Sequence, residues 1–141
     1  MKLAAWARLA ALAAIGSAVG AAPDAFAHPA RACAPLKKRA AGDAAEPVVI
    51  GRVRYEAPAN GKALGLGQNG GYIVACDARS GAQLWALKVF TIGYAANMEA
   101  DKQDVFITDM KPSSDSRALL LTDERGRRWR VDLRTRTSAP D

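Results

Sequence analysis

Four carboxylates, Glu99, Asp101, Asp104 and Asp109, fall close together along the chain. Paired carboxylates at the right separation do the acid–base work of glycoside hydrolysis, and six or more oxygens on a tight loop hold calcium. The spacing matches no calcium-binding helix–loop–helix and Lys102 interrupts it. Solvated loop charges are therefore expected, with Glu99 and Asp104 as the residues to substitute in a hydrolase. A second pattern, Gly65-Leu66-Gly67-Gln68-Asn69-Gly70, fits the glycine signature that cradles a dinucleotide pyrophosphate. That chemistry needs a strand before the glycines and a helix after them. Here Asn69-Gly70-Gly71 marks a tight turn followed by a strand, so a loop is expected and no cofactor.

His28 is the single histidine. A Ser–His–Asp triad or Cys–His pair would have to recruit it from outside the folded part. As a mature N-terminus its amine and imidazole would chelate copper, but such sites use a second histidine. Cys33 and Cys76 are the two cysteines. They form a candidate disulfide in an oxidising compartment; the alternative is two thiols, Cys76 being buried as a small strand residue. The remaining chemistry is charge. Arg125, Arg127, Arg128, Arg130, Arg134 and Arg136 make the C-terminal region basic. Arg128 and Arg130 form a candidate interaction surface, or else charges that guard an edge strand against aggregation. No catalytic, cofactor-binding or metal-binding residue is assigned.

The N-terminus reads as an address. Lys2 and Arg8 precede an uncharged apolar run over residues 9–19, and Ala25-Phe26-Ala27 supplies the small-x-small pattern of a cleavage site. A secretory signal peptide over 1–27 is expected, too short for a membrane span. Removing Lys2, Arg8 and Asp24 with it lowers the net charge from +6 to +5. A basic exported protein is drawn to anionic surfaces or acidic partners rather than to nucleic acid. The expected location is the periplasm, with no transmembrane span.

Residues 28–47, rich in Ala, Pro, Lys and Arg with the cluster Lys37-Lys38-Arg39, read as a disordered leader. A small all-β domain is expected over 48–134, with about six short antiparallel strands near 48–55, 72–76, 83–90, 104–110, 118–122 and 127–133, and a polar tail over 135–141. The loop over 91–103 has room for one helical turn. Trp85, Leu87 and Val89 alternate with Ala86 and Lys88, and Trp129, Val131 and Leu133 with Arg128, Arg130 and Asp132. That period of two marks half-buried strands.

Ala75, Asp77, Ser80, Gly81 and Trp85 are spaced as in the Ala-x-Asp-x-x-Thr-Gly-x-x-x-Trp repeat, and the segment resembles the tryptophan-docking repeat of quinoprotein-type (PQQ-like) β-propellers. Asp123, Gly126 and Trp129 give a shortened second copy, with Val105-Phe106-Ile107-Thr108 ahead of it. This layout is similar to small exported proteins that carry such hairpins. The resemblance implies a structural role for Asp77, Gly81, Trp85, Asp123, Gly126 and Trp129: a turn-holding carboxylate, a left-handed glycine and a covering indole. It implies no quinone, since a closed propeller needs at least four blades and the adjacent cysteines of the quinone site are absent. The expected architecture is a small sandwich or barrel-like meander built from propeller-blade-like hairpins.

The functional expectation is a non-enzymatic periplasmic domain that binds a protein partner or anionic surface, as a monomer or small homo-oligomer. The docking surface is expected on the basic 127–133 face or the 91–103 loop. The alternative is a small periplasmic hydrolase or an accessory to a quinoprotein dehydrogenase.

Overall fold

The computed structural model describes Cys33 and residues 45–141. The expected signal peptide, His28, the Lys37-Lys38-Arg39 cluster and the rest of 28–44 lie outside the described residues. Among the described residues the chain is all-β, with no α-helix. The strands are β1 (Val48–Ile50), β2 (Val53–Glu56), β3 (Tyr72–Asp77), β4 (Gln83–Lys88), β5 (Ile107–Pro112), β6 (Ala118–Asp123), β7 (Arg128–Asp132) and β8 (Thr137–Pro140). They form two four-stranded antiparallel meanders, β1-β2-β3-β4 and β5-β6-β7-β8, in sequence order and not closed into a barrel.

Eight strands replace the expected six, for two local reasons. The 48–55 run is not one strand. It folds back at Gly51 and Arg52, pairing Ile50 with Val53. Gly51 has φ +61 while Arg52 keeps a negative φ, as in a two-residue hairpin turn with glycine first. The expected tail over 135–141 contains β8, which pairs with β7 from Asp132↔Thr137 to Trp129↔Pro140. Of its residues only Thr137 favours a strand; backbone pairing to β7 forms it, and its proline is accepted because β8 is an edge strand. The 3-10 turn Asp101–Gln103 supplies the helical turn of the 91–103 loop.

Each sheet turns one apolar face to a shared core. The first contributes Tyr55, Ile73 and Ala75, with Trp85 and Leu87 packed against them; the second contributes Ile107, Met110, Leu119, Leu121 and Val131, with Trp129 and Leu133 alongside. Ile73, Leu119 and Val131 are fully buried. A bulge at Ala75/Cys76 sets Trp85 opposite Ala75 and so keeps the indole on the core face. Residues 89 and 90 leave β4 to cross between the sheets. Phe90 stacks on Trp129 with centroids 5.2 Å apart, and the Ser138 hydroxyl donates to the Val89 carbonyl at 2.8 Å.

A disulfide joins Cys33 to Cys76, with Cα atoms 6.1 Å apart. Cys76 lies on the other face of β3, and the Cys33 backbone N–H donates to the Gly81 carbonyl at 2.6 Å. The chain at Cys33 is thereby tied to the β3–β4 turn. No described helix is long and apolar enough to cross a membrane.

Candidate functional site

The four turns joining odd to even strands gather at one end of the molecule. The Ala78 N–H donates to the Arg52 carbonyl, linking the β1–β2 and β3–β4 turns. The Leu133 N–H donates to the Arg117 carbonyl, linking the β5–β6 and β7–β8 turns. At this end Ile50 of β1 and Tyr55 of β2 meet the β5–β6 and β7–β8 turns around a cleft of about 760 Å³ lined by Ile50, Tyr55, Ser116, Arg117, Asp132, Leu133 and Arg134. Ile50, Leu133 and the Tyr55 ring form its apolar part. Ser116, Arg117 and Arg134 are exposed at its mouth.

This end carries Arg52, Arg79, Arg117, Arg134 and Arg136. Among the described residues none of the five forms an ion pair with a carboxylate. Their acidic neighbours are engaged in turn geometry. Asp77 Oδ1 accepts the N–H groups of Arg79 at 2.9 Å and Ser80 at 2.7 Å. Asp132 Oδ1 accepts those of Arg134 at 2.9 Å and Thr135 at 2.8 Å. Asp115 accepts from the Ser113 hydroxyl and the Arg117 N–H. These bonds hold all three carboxyls below their ordinary value: the Ser80 N–H leads at Asp77, the Ser113 hydroxyl at Asp115 and the Thr135 N–H at Asp132. Arg136 lies 5.4 Å over the Trp85 ring, bridging the sheets. Burial pushes the Tyr55 hydroxyl up, with the Arg136 charge pulling the other way.

The structurally equivalent turns are not the pair that the motif spacing suggests. The Asp77 turn joins the third and fourth strands of its sheet, whereas the Asp123 turn joins the second and third of its own. The counterpart of Asp77 is Asp132. In both turns the carboxylate accepts from the residues two and three positions on, and its carbonyl accepts the N–H four positions on, from Gly81 or Arg136, each at 2.9 Å. Both fourth positions are left-handed, φ +72 at Gly81 and φ +56 at Arg136. The shared signal, Asp-x-x-Ser/Thr, was present in the sequence; the arginine in the glycine position concealed it.

The Asp123 turn has different chemistry. Asp123, 1% exposed, accepts the Arg125 and Arg127 N–H groups, the Arg127 guanidinium at 2.7 Å and the Trp129 indole N–H at 3.3 Å. It knits a hairpin and reaches no open site. Gly126 there is left-handed at φ +76.

Arg128 and Arg130 lie on the outer face of β7 as the alternation indicates, but that face is nearly charge-compensated. Arg128 pairs with Asp141 at 2.9 Å and Lys111 with Asp109 at 2.9 Å, leaving Arg130 without an ion-pair partner among the described residues. The other acidic residues are dispersed. Glu99 pairs with Lys102, Asp101 accepts the Lys102 N–H, and Asp104 accepts from Asn69 at 2.7 Å and the Tyr94 hydroxyl at 2.5 Å. Burial, then this bond and the Asp104 charge, raise the Tyr94 hydroxyl. Among the described residues no three His, Cys, Asp or Glu side chains are grouped to hold a metal.

The glycine run is a packed loop. Buried Gln68 donates to the Gly70 and Phe90 carbonyls and accepts the Ile92 N–H at 3.0 Å. A Cβ on Gly70 would lie 2.0 Å from the Val105 carbonyl oxygen. Gln103 similarly binds the backbone of Ala95, Met98 and Glu99. Composition gives no warning of these two glutamines. Compared with known proteins, the chain matches no family model, no curated protein and no solved structure.

Proposed function

We propose that this chain is a non-enzymatic periplasmic binding domain that docks the acidic face of a partner protein onto its arginine-bearing hairpin end. One observation carries the reading: the four hairpin turns bring five arginines to one end, two of them, Arg117 and Arg134, lining its cleft, and among the described residues none of the five forms an ion pair. Arginine is weakly hydrated and presents a planar fork matched to carboxylates, which suits it to such a surface. The outer face of β7, with its compensating carboxylates, has less to offer an acidic partner. In this reading the two meanders form a sandwich of two propeller-blade-like units. Support comes from their sequential strand order and from the repeated Asp77 and Asp132 turns, each between the third and fourth strands. The scaffold brings four turns to one end and needs no cofactor to do so.

The test is crosslinking in the native compartment with the wild-type protein and with an Arg52→Ala/Arg79→Ala/Arg136→Ala variant, beside an Arg128→Ala/Arg130→Ala control. Capture of a defined partner that is lost in the first variant, retained in the control and weakened by salt is expected. Capture lost only in the control would overturn the hairpin-end reading. Salt-dependent binding to anionic lipid vesicles, with no protein captured, would assign the surface to a membrane instead.

A further inference from the structure

Resting on the reading of the hairpin end as the anion-binding end, we infer that its cleft is a site for a small monocarboxylate with an apolar body. The walls divide into two chemical halves. Ile50, Leu133 and the Tyr55 ring give a surface for hydrocarbon, whereas Arg117, Arg134 and the Ser116 hydroxyl supply donors at the mouth. A cleft of about 760 Å³ falls within the range that holds small organic ligands.

Charge selects the kind of anion. Arg117 and Arg134 bring two positive charges to the lining and Asp132 brings one negative, so the lining carries a single net positive charge. Asp132 stays ionised at neutral pH, because the Thr135 and Arg134 N–H groups stabilise its charged form. It therefore repels a second negative charge and makes a polyanion a poorer occupant than a monoanion. A guanidinium binds a carboxylate through two parallel N–H···O bonds, and Arg117 and Arg134 come from neighbouring turns held together by the Leu133–Arg117 backbone bond. The two turns that carry the donors are thus held together before any ligand enters. Tyr55 cannot add a second anion, since burial raises its hydroxyl and keeps it protonated.

The experiment is calorimetric titration of the disulfide-intact protein with 4-phenylbutyrate, acetate, 4-phenylbutylamine and inorganic phosphate. Expected are saturable 4-phenylbutyrate binding, acetate at least tenfold weaker, no binding of the amine, and no displacement by tenfold excess phosphate. Arg117→Ala and Arg134→Ala, both exposed substitutions, should each weaken 4-phenylbutyrate about tenfold, and Arg128→Ala should leave it unchanged. The inference is overturned if phosphate displaces the probe at equal concentration, if acetate binds equally well, if no saturable binding occurs, or if the two cleft variants bind like wild type. Partner capture that depends on Arg52 and Arg79, without 4-phenylbutyrate binding, would remove the cleft assignment and leave the docking reading intact. Loss of both would remove both.

Discussion

Arg136 holds in the β7–β8 turn the position that Gly81 holds in the β3–β4 turn. Each donates its N–H to the carbonyl of the turn-opening aspartate at 2.9 Å, and each is left-handed. For a residue with a Cβ that conformation costs about 1–2 kcal/mol. Part of the cost at Arg136 is offset by its guanidinium over Trp85, a contact of about 0.5–1 kcal/mol at an exposed site. Gly81→Ala should therefore destabilise the protein by about 1–2 kcal/mol, since the alanine meets no clash beyond its φ. Arg136→Gly should change stability by less than about 1 kcal/mol, the relieved strain balancing the lost contact. In a Trp85→Leu background, where no contact remains to lose, the same substitution should stabilise. A denaturant double-mutant cycle reads the difference.

The two turns also show what the sequence made legible. Alternation around Trp85 and Trp129 placed both indoles on the core side, and the all-β class followed from short β-branched runs separated by turn residues. Two strands escaped. The hairpin at Gly51 was hidden because its flanks are so strongly β-branched that they read as one run. β8 was hidden because Ser138, Ala139 and Pro140 have no strand preference of their own; β7 pairs with them. The candidate site was less legible for a different reason. A cleft assembled from two strands of one sheet and two turns of the other has no local signature: Tyr55 and Arg134 are far apart in sequence, and only the pairing of meanders brings them together. The arginines could be counted, but which of them are neutralised depended on partners such as Asp141.

The glycine loop separates packing from phosphate chemistry. Gly70 faces the Val105 backbone so closely that an alanine methyl cannot fit, while a Cβ on Gly67 would sit 3.6 Å from the Tyr72 hydroxyl in ordinary contact. Gly70→Ala should thus unfold the protein or lower its melting temperature sharply, and Gly67→Ala should leave it nearly unchanged. Gln68→Ala should cost about 2–3 kcal/mol, because it strands the buried Gly70, Phe90 and Ile92 backbone groups. Thermal melts of the three variants check this. A cofactor cradle would instead tolerate Gln68→Ala.

The Cys33–Cys76 disulfide spans a sequence separation of 43 residues. Closing a loop of that length removes unfolded-state entropy worth about 4 kcal/mol in the chain-entropy account. Cys33→Ser paired with Cys76→Ala should reduce stability toward that figure, the alanine avoiding a polar atom at a position with no exposure. The sheets themselves should persist, because Cys33 contributes nothing to the strand ladders. Urea titrations with and without reductant should show the wild type falling to the level of the double variant. An unchanged midpoint on reduction would mean that the bridge does little for stability.

Asp123 and Trp129 set the acid sensitivity. Burial alone would raise the Asp123 carboxyl, yet the Arg127 N–H, the Trp129 indole and the Arg127 guanidinium outweigh it and hold the group below its ordinary 3.8. A carboxyl depressed in the folded state contributes stability that is fully present above its unfolded value. That contribution fades as the pH falls through the folded value. Asp123→Asn keeps an acceptor but loses the charge, so it should cost about 1–3 kcal/mol at neutral pH. Its cost should stay constant down to about pH 4 and then shrink, until the two stability curves converge in stronger acid. Asp77, Asp115 and Asp132 are depressed too and leave the variant a residual acid limb. Urea midpoints from pH 2 to 7, followed by Trp fluorescence, measure the gap. A gap that already widens as the pH falls from neutral toward about 4 would mean that the Asp123 carboxyl is raised on folding, contrary to the bonding around it.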